Sequence, residues 1–202
     1  MSHQKINFSL LIVASAVAFS WLGSKGPAGA QNAANGSGGS GAKESHAKKY
    51  KEALFAGGCF WGVEEHFRTE PGVISTAVGY CGGTTENPTY EAVCTGKTGH
   101  AETVRVEYDP KRVPYERLLT IFWRSIDPCS LNRQGPDHGT QYRSVIFYED
   151  DDQKAQALAS KAKLQQAQHC KIVTEVTQSP GFWMAEDYHQ QYLLKHDMGA
   201  CH

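Results

Sequence analysis

Apolar and polar residues alternate from Glu102 to Tyr108, with Val104, Val106 and Tyr108 on one face and Arg105 and Glu107 on the other. That is the period of a half-buried strand, and Asp109-Pro110 ends it. Elsewhere the period is helical. Phe60, Val63, Glu64 and Phe67 recur at helical spacing until Pro71-Gly72. Leu118, Leu119, Phe122 and Ile126 form a second apolar face, opened by Pro114 and stopped by Asp127-Pro128. Further strands are predicted at 52–56, 73–79, 142–148 and 171–176, and further helices over 151–168 and 185–196. Two stretches rich in Gly, Thr, Asn and Pro, 80–100 and 127–141, read as long loops, a feature that compact domains keep for function.

The order β-α-β-β-α-β, then α-β-α, predicts an α+β domain: a two-layer sandwich with a ferredoxin-like split βαβ core and long loops leaving on one side. This pattern occupies 50–202. Residues 1–30 read as a secretory signal peptide, with Lys5, an apolar run from Phe8 to Leu22, and the small-x-small pattern Ala28-Gly29-Ala30. Residues 31–49 read as a flexible Gly/Ser-rich linker. The expectation is an exported, periplasmic or extracytoplasmic protein, or one held by an uncleaved N-terminus. With 20 basic and 21 acidic residues there is no basic stripe of the kind nucleic acids require. The catalytic unit is expected to be a monomer.

The chemistry centres on Gly57-Gly58-Cys59-Phe60-Trp61-Gly62-Val63-Glu64, where a strand turns into a helix. A thiol at a helix start meets unpaired N–H groups and the positive end of the dipole, which favour the thiolate. The two aromatics can wall an apolar pocket beside the sulfur. The bland reading is a buried cysteine under a glycine turn. Glu102 begins a strand just after a loop; a carboxyl in apolar surroundings there can act as a general acid. Tyr90 and Tyr142 have hydroxyls that can donate to a polar substrate, though packing explains most tyrosines beside strands.

The cysteines stand at 59, 81, 94, 129, 170 and 201, with no C-x-x-C pair. A domain of this size needs no fixed disulfide framework. His100, Glu102 and Pro128-Cys129 imitate part of a zinc-deaminase pattern, but Asn132 replaces the second cysteine, so no metal site is expected. His138 and His189 are the bases a thiol hydrolase would use, with a helix-face histidine as the bland reading of His189. Cys201, next to last, suits a resolving thiol on an accessible tail.

Five motifs in order, GGCFWGVE at 57–64, GYCGG at 79–83, NPTYEAVCTGKTGHAE at 87–102, RQGPDHGTQYRS at 133–144 and AEDYHQQYL at 185–193, give a chain that resembles the A-type peptide methionine sulfoxide reductases. The resemblance implies reduction of the S epimer of methionine sulfoxide in oxidised proteins and peptides. It implies Cys59 as nucleophile, Phe60 and Trp61 as the methyl pocket, Glu102 as the acid, and Tyr90 and Tyr142 as hydrogen-bond partners of the oxygen. Asp137 would support the site, and Cys201 would resolve the sulfenic acid, with Cys129 and Cys81 as alternatives. It implies no metal or organic cofactor, only an external dithiol reductant such as thioredoxin. The exported N-terminus is less usual for the family and puts the identity of that donor in question.

Overall fold

A computed structural model of the chain describes residues 49–199. The expected leader and all of the linker but Lys49 lie outside the described residues, as does Cys201. Six strands form one mixed sheet in the order β7-β6-β1-β3-β2-β8. They are β1 (Lys51–Ala56), β2 (Val73–Cys81), β3 (Ala101–Tyr108), β6 (Val145–Tyr148), β7 (Glu175–Gln178) and β8 (Phe182–Met184). Neighbours are antiparallel except β6 and β7. Helices α1 (Phe60–Arg68), α3 (Tyr115–Arg124) and α4 (Asp151–Ala167) pack with it, so the α+β class holds.

Alternation along β1 divides the core. Ala53 and Phe55 join the cluster formed with α1 and α3, whereas Leu54 and Ala56 join Cys81, Ala101, Val145 and Phe147. Phe55 stacks on Phe67 at 4.9 Å, Phe122 at 5.2 Å and Tyr115 at 6.1 Å. Both helices are thereby fixed to the strand that delivers Cys59, each buried Phe contributing ~1.5–3 kcal/mol. The expected faces of β3 are observed: Val104 and Val106 are fully buried, Arg105 and Glu107 partly exposed.

Several expectations are corrected. The predicted helix 185–196 shrinks to α5 (Tyr192–Lys195), because side chains of the preceding turn bond backbone groups elsewhere, in competition with helix formation. The strand expected at 171–176 begins at Glu175, whose N–H reaches Ser144 O; before it, Val173 N–H bonds Pro128 O. The strand expected at 142–148 begins at Val145, after a 3-10 turn over Thr140–Tyr142. The loop 80–100 contains a short helix, α2 (Tyr90–Cys94), capped by Thr89. The loop after α3 contains a hairpin of β4 (Arg133–Gln134) and β5 (Asp137–His138). β8 pairs with β2 where Gly79 has no side chain; a Cβ there would collide with Trp183 O. A disulfide joins Cys129 to Cys170, where no fixed bridge was expected.

Candidate active site

β1 ends at Ala56 and Cys59 caps α1, so strand and helix meet at the sulfur. Gly58 takes φ +89°, and a Cβ there would stand 2.7 Å from Gln134 Cβ. Glycine therefore gives both the turn and the close approach of the β4–β5 hairpin. Gln134 fastens that hairpin to the end of α3: its amide accepts Asp127 N–H and donates to Asp127 O, both at 2.8 Å. Between these elements lies a cavity of about 540 Å³ lined by Cys59, Trp61, Ile126, Asp137 and Leu193 among others.

The thiol is not activated in the way the sequence suggests. Trp61 and Gly62 N–H groups do donate to the Cys59 sulfur and favour its ionisation. Burial outweighs them, the negative charges of Glu102 and Asp137 add to it, and the thiol is pushed up to about 12. Glu102 lies where a carboxyl is held in its acid form. It is 2 % exposed, and burial raises its carboxyl to about 8, although Phe60 N–H donates to Oε2 at 3.0 Å.

The two tyrosines are half-buried, and both feel the charge of Glu102. Burial, then Glu102 and Asp137, raise Tyr142 to about 12; Cys59 acts on it too. Burial raises Tyr90, whose hydroxyl donates to Cys94. Cys59, Glu102, Tyr90, Tyr142 and Asp137 are thus gathered, with Trp61 at the cavity wall. Phe60 is 1 % exposed and packs inward against Tyr80 and His189; its contribution to the site is the N–H that Glu102 accepts.

Other candidates fall outside. Cys81 is fully buried in the second core cluster, and the groups acting on it are Ser179, Glu149 and Arg143. Cys129 is committed to Cys170. Of the residues in the partial zinc pattern, the His100 ring accepts Gly83 N–H and bonds Thr85 O. His138 is exposed, and His189 is buried in a turn rather than on a helix face, its Nδ1 taken by Trp61 N–H. Sequence reasoning overlooked Cys94, whose signal was its i+4 spacing from Tyr90 on a short helix.

A family model described as peptide methionine sulfoxide reductase matches residues 51–202. The peptide methionine sulfoxide reductase MsrA of Methanosarcina acetivorans is 58 % identical over 154 residues, 75 % of this chain and 82 % of that protein. Methionine sulfoxide reductase A of Corynebacterium diphtheriae is similar in structure at TM-score 0.69 and 39 % identity, covering 77 % of this chain and 79 % of that one. Mxr1 from Saccharomyces cerevisiae in reduced form is similar at TM-score 0.72 and 36 % identity, over 76 % and 89 %.

Proposed function

From the premise that the chain belongs to the peptide methionine sulfoxide reductase family, we propose the following roles for its residues. The enzyme is a peptide-methionine (S)-S-oxide reductase. The observation that carries the roles is a buried carboxyl, Glu102, bound to the first N–H of the helix that Cys59 caps and acting on the Cys59 thiol, which itself lines the cavity.

A sulfoxide sulfur becomes electrophilic once its oxygen is protonated or strongly hydrogen-bonded. Glu102 gives its proton to that oxygen, Tyr142 donates a hydrogen bond to it, and Tyr90 does so when its hydroxyl turns from Cys94 to the substrate. The Cys59 sulfur attacks the substrate sulfur while its own proton returns to Glu102. The S–S bond so formed breaks as the hydroxyl passes from the substrate sulfur to Cys59, which releases methionine and leaves Cys59 as a sulfenic acid. Trp61, which lines the cavity, seats the substrate methyl. Asp137, whose charge acts on Glu102 and Cys59, supports the protonated form of both. Cys201 then displaces water to form a disulfide with Cys59, and an external dithiol of the thioredoxin kind takes up the oxidation and restores both thiols. Burial of Cys81 and pairing of Cys129 favour Cys201 over them. No organic cofactor enters these steps.

The strand order β6-β1-β3-β2, antiparallel throughout, supports the ferredoxin-like split βαβ reading of the core. All the groups named come from one chain, in keeping with a monomer. The leader and linker pattern of 1–49 supports export, with the donor acting outside the cytoplasm. Pre-reduced protein given methionine S-sulfoxide without reductant should release methionine and lose two thiols. An unchanged thiol content would overturn these roles.

A further inference from the structure

Residues 124–127 and 134–137 line the cavity with Cys59, and 128–133 joins the two runs. Hydrogen bonds give this stretch its shape. The Asp127 carboxylate accepts Cys129 N–H at 2.9 Å and the Ser130 hydroxyl at 2.6 Å, and the Gln134 amide bonds Asp127 N–H and C=O at 2.8 Å. Ile126 and Gln134 in turn press on Gly57 and Gly58, where an added Cβ would collide with them. All but the last of these contacts lie within the wall, so they fix its form more than its place. Leu131, the one large apolar side chain of 128–132, is 69 % exposed, so burial does little to hold the loop.

Two links tie the outer side of the wall to the segment before β7. Pro128 O accepts Val173 N–H at 2.9 Å, and Cys129 is bonded to Cys170. The receiving segment is itself well seated. Gln165 of α4 donates to Cys170 O and accepts Ile172 N–H, both at 2.8 Å, and Ile172 is 3 % exposed. A path therefore runs from α4 through Cys170 and Cys129 to Asp127, Gln134 and the glycine turn before Cys59. The backbone entropy regained by one loosened residue is of the same size as the net worth of one hydrogen bond. The Val173 bond alone therefore does not keep the wall seated throughout, and the covalent link decides it.

We infer that Cys129 and Cys170 are positioning residues: their bridge seats the wall 124–137 against Gly58 through Asp127 and Gln134, and so sets how readily the cavity accepts its substrate. The inference rests on this cavity being the sulfoxide site. A wall seated for only a fraction of the time lowers apparent affinity by that fraction, whereas the saturated complex, which holds it seated, reacts as before. The test compares the bridged chain with Cys129→Ser/Cys170→Ser by methionine release in a single turnover, without reductant, against the concentration of methionine S-sulfoxide. Half-saturation should rise about 3- to 10-fold in the variant, with the maximal rate changed by less than about twofold. Wild type opened with dithiothreitol and then desalted should match it, and serves if the serine pair does not fold. Dithiothreitol gives the two sulfurs two electrons and two protons and is itself oxidised to a disulfide; Cys170 is exposed to it. Hydrogen exchange at Asp127 N–H, followed by NMR, should quicken in both unbridged forms. Gln134→Ala should itself raise half-saturation, and opening the bridge should add less in that background than in the wild type, because both changes release one wall. A bridge that only stabilises the fold would not couple in this way. Half-saturation unchanged in both unbridged forms, or full additivity with Gln134→Ala, would overturn the inference and leave the proposed activity standing. No methionine from the bridged chain would overturn that activity, and the inference with it.

Discussion

Replacing Glu102 by Gln should make the protein slower and, near pH 8, more stable. The substitution keeps an amide oxygen to accept Phe60 N–H, which Glu102 accepts at 3.0 Å, but removes the exchangeable proton. General acids contribute about 10²- to 10⁴-fold, or ~3–5 kcal/mol of barrier, so methionine formation should slow by that factor. With its carboxyl near 8, Glu102 is about nine-tenths in the acid form at pH 7 and about one-tenth at pH 9. The wild-type single-turnover rate should fall across that interval, well below the Cys59 thiol at about 12, and the fall should vanish in Glu102→Gln. The stability effect has the opposite sign. Below 4.5, the ordinary carboxyl value, folded and unfolded chains both hold the proton and burial costs nothing extra. Between 4.5 and about 8 the folded state binds more protons, so raising the pH destabilises it. The accumulated loss reaches at most ~5 kcal/mol. Urea unfolding of the reduced proteins between pH 5 and 9 reads this directly: the advantage of Glu102→Gln should grow with pH and level off above 8. A rate loss under tenfold, or the same pH limb in the variant, would refute the acid role. A stability difference independent of pH would refute the buried, protonated carboxyl.

Cys59→Ser should release no methionine, whereas Cys201→Ser should release about one per protein and stop as a sulfenic acid, read by mass spectrometry after dimedone trapping. Gly58→Ala should lose ~1–3 kcal/mol in denaturant, from its positive φ and the approach of Gln134, and should disturb the cavity wall with it. Cys129→Ser, which opens a bridge closing 41 residues, should cost ~2–4 kcal/mol, seen as a lower urea midpoint; an unchanged midpoint would mean the bridge stabilises nothing.

What the sequence disclosed were features that local periodicity or local chemistry writes into it. The two-residue alternation of β3 and the helical face of α3 each follow from one surface being dry, and both are where the pattern puts them. The glycine pair before Cys59 announces a turn that only glycine makes. What it withheld depends on partners far along the chain. The Cys129–Cys170 bridge spans 41 residues and has no spacing signature. β8 is three residues long and exists because Gly79 leaves room beside β2. The helical period of 185–196 is real, but Glu186 and Gln190 spend their side chains on Tyr90 and Val78, and the turn they form places His189 against Trp61. The motif was recognisable while its shape was not, because its hydrogen bonds leave the segment.

Cys59 shows how magnitude decides between two sound local arguments. A helix start offers a thiolate ~0.3–1 kcal/mol, at most about 2 in a partly buried place. The difference between the ordinary thiol value of 9.0 and about 12 corresponds to roughly 4 kcal/mol the other way, led by burial and helped by Glu102 and Asp137. The helix end moderates that cost without reversing it. The resting site consequently holds two protons, one on the Cys59 sulfur and one on the Glu102 carboxyl. A thiolate is then favourable only when its proton has a destination. A sulfoxide oxygen beside Glu102 is such a destination, because protonating it removes the carboxyl proton and leaves a carboxylate ready for the one on sulfur. On this reasoning alkylation of Cys59 by iodoacetamide at pH 8 should be much slower than that of an unperturbed thiol. It should quicken in Glu102→Gln, where the carboxylate charge is gone, and slowing there would contradict the electrostatic part of the argument.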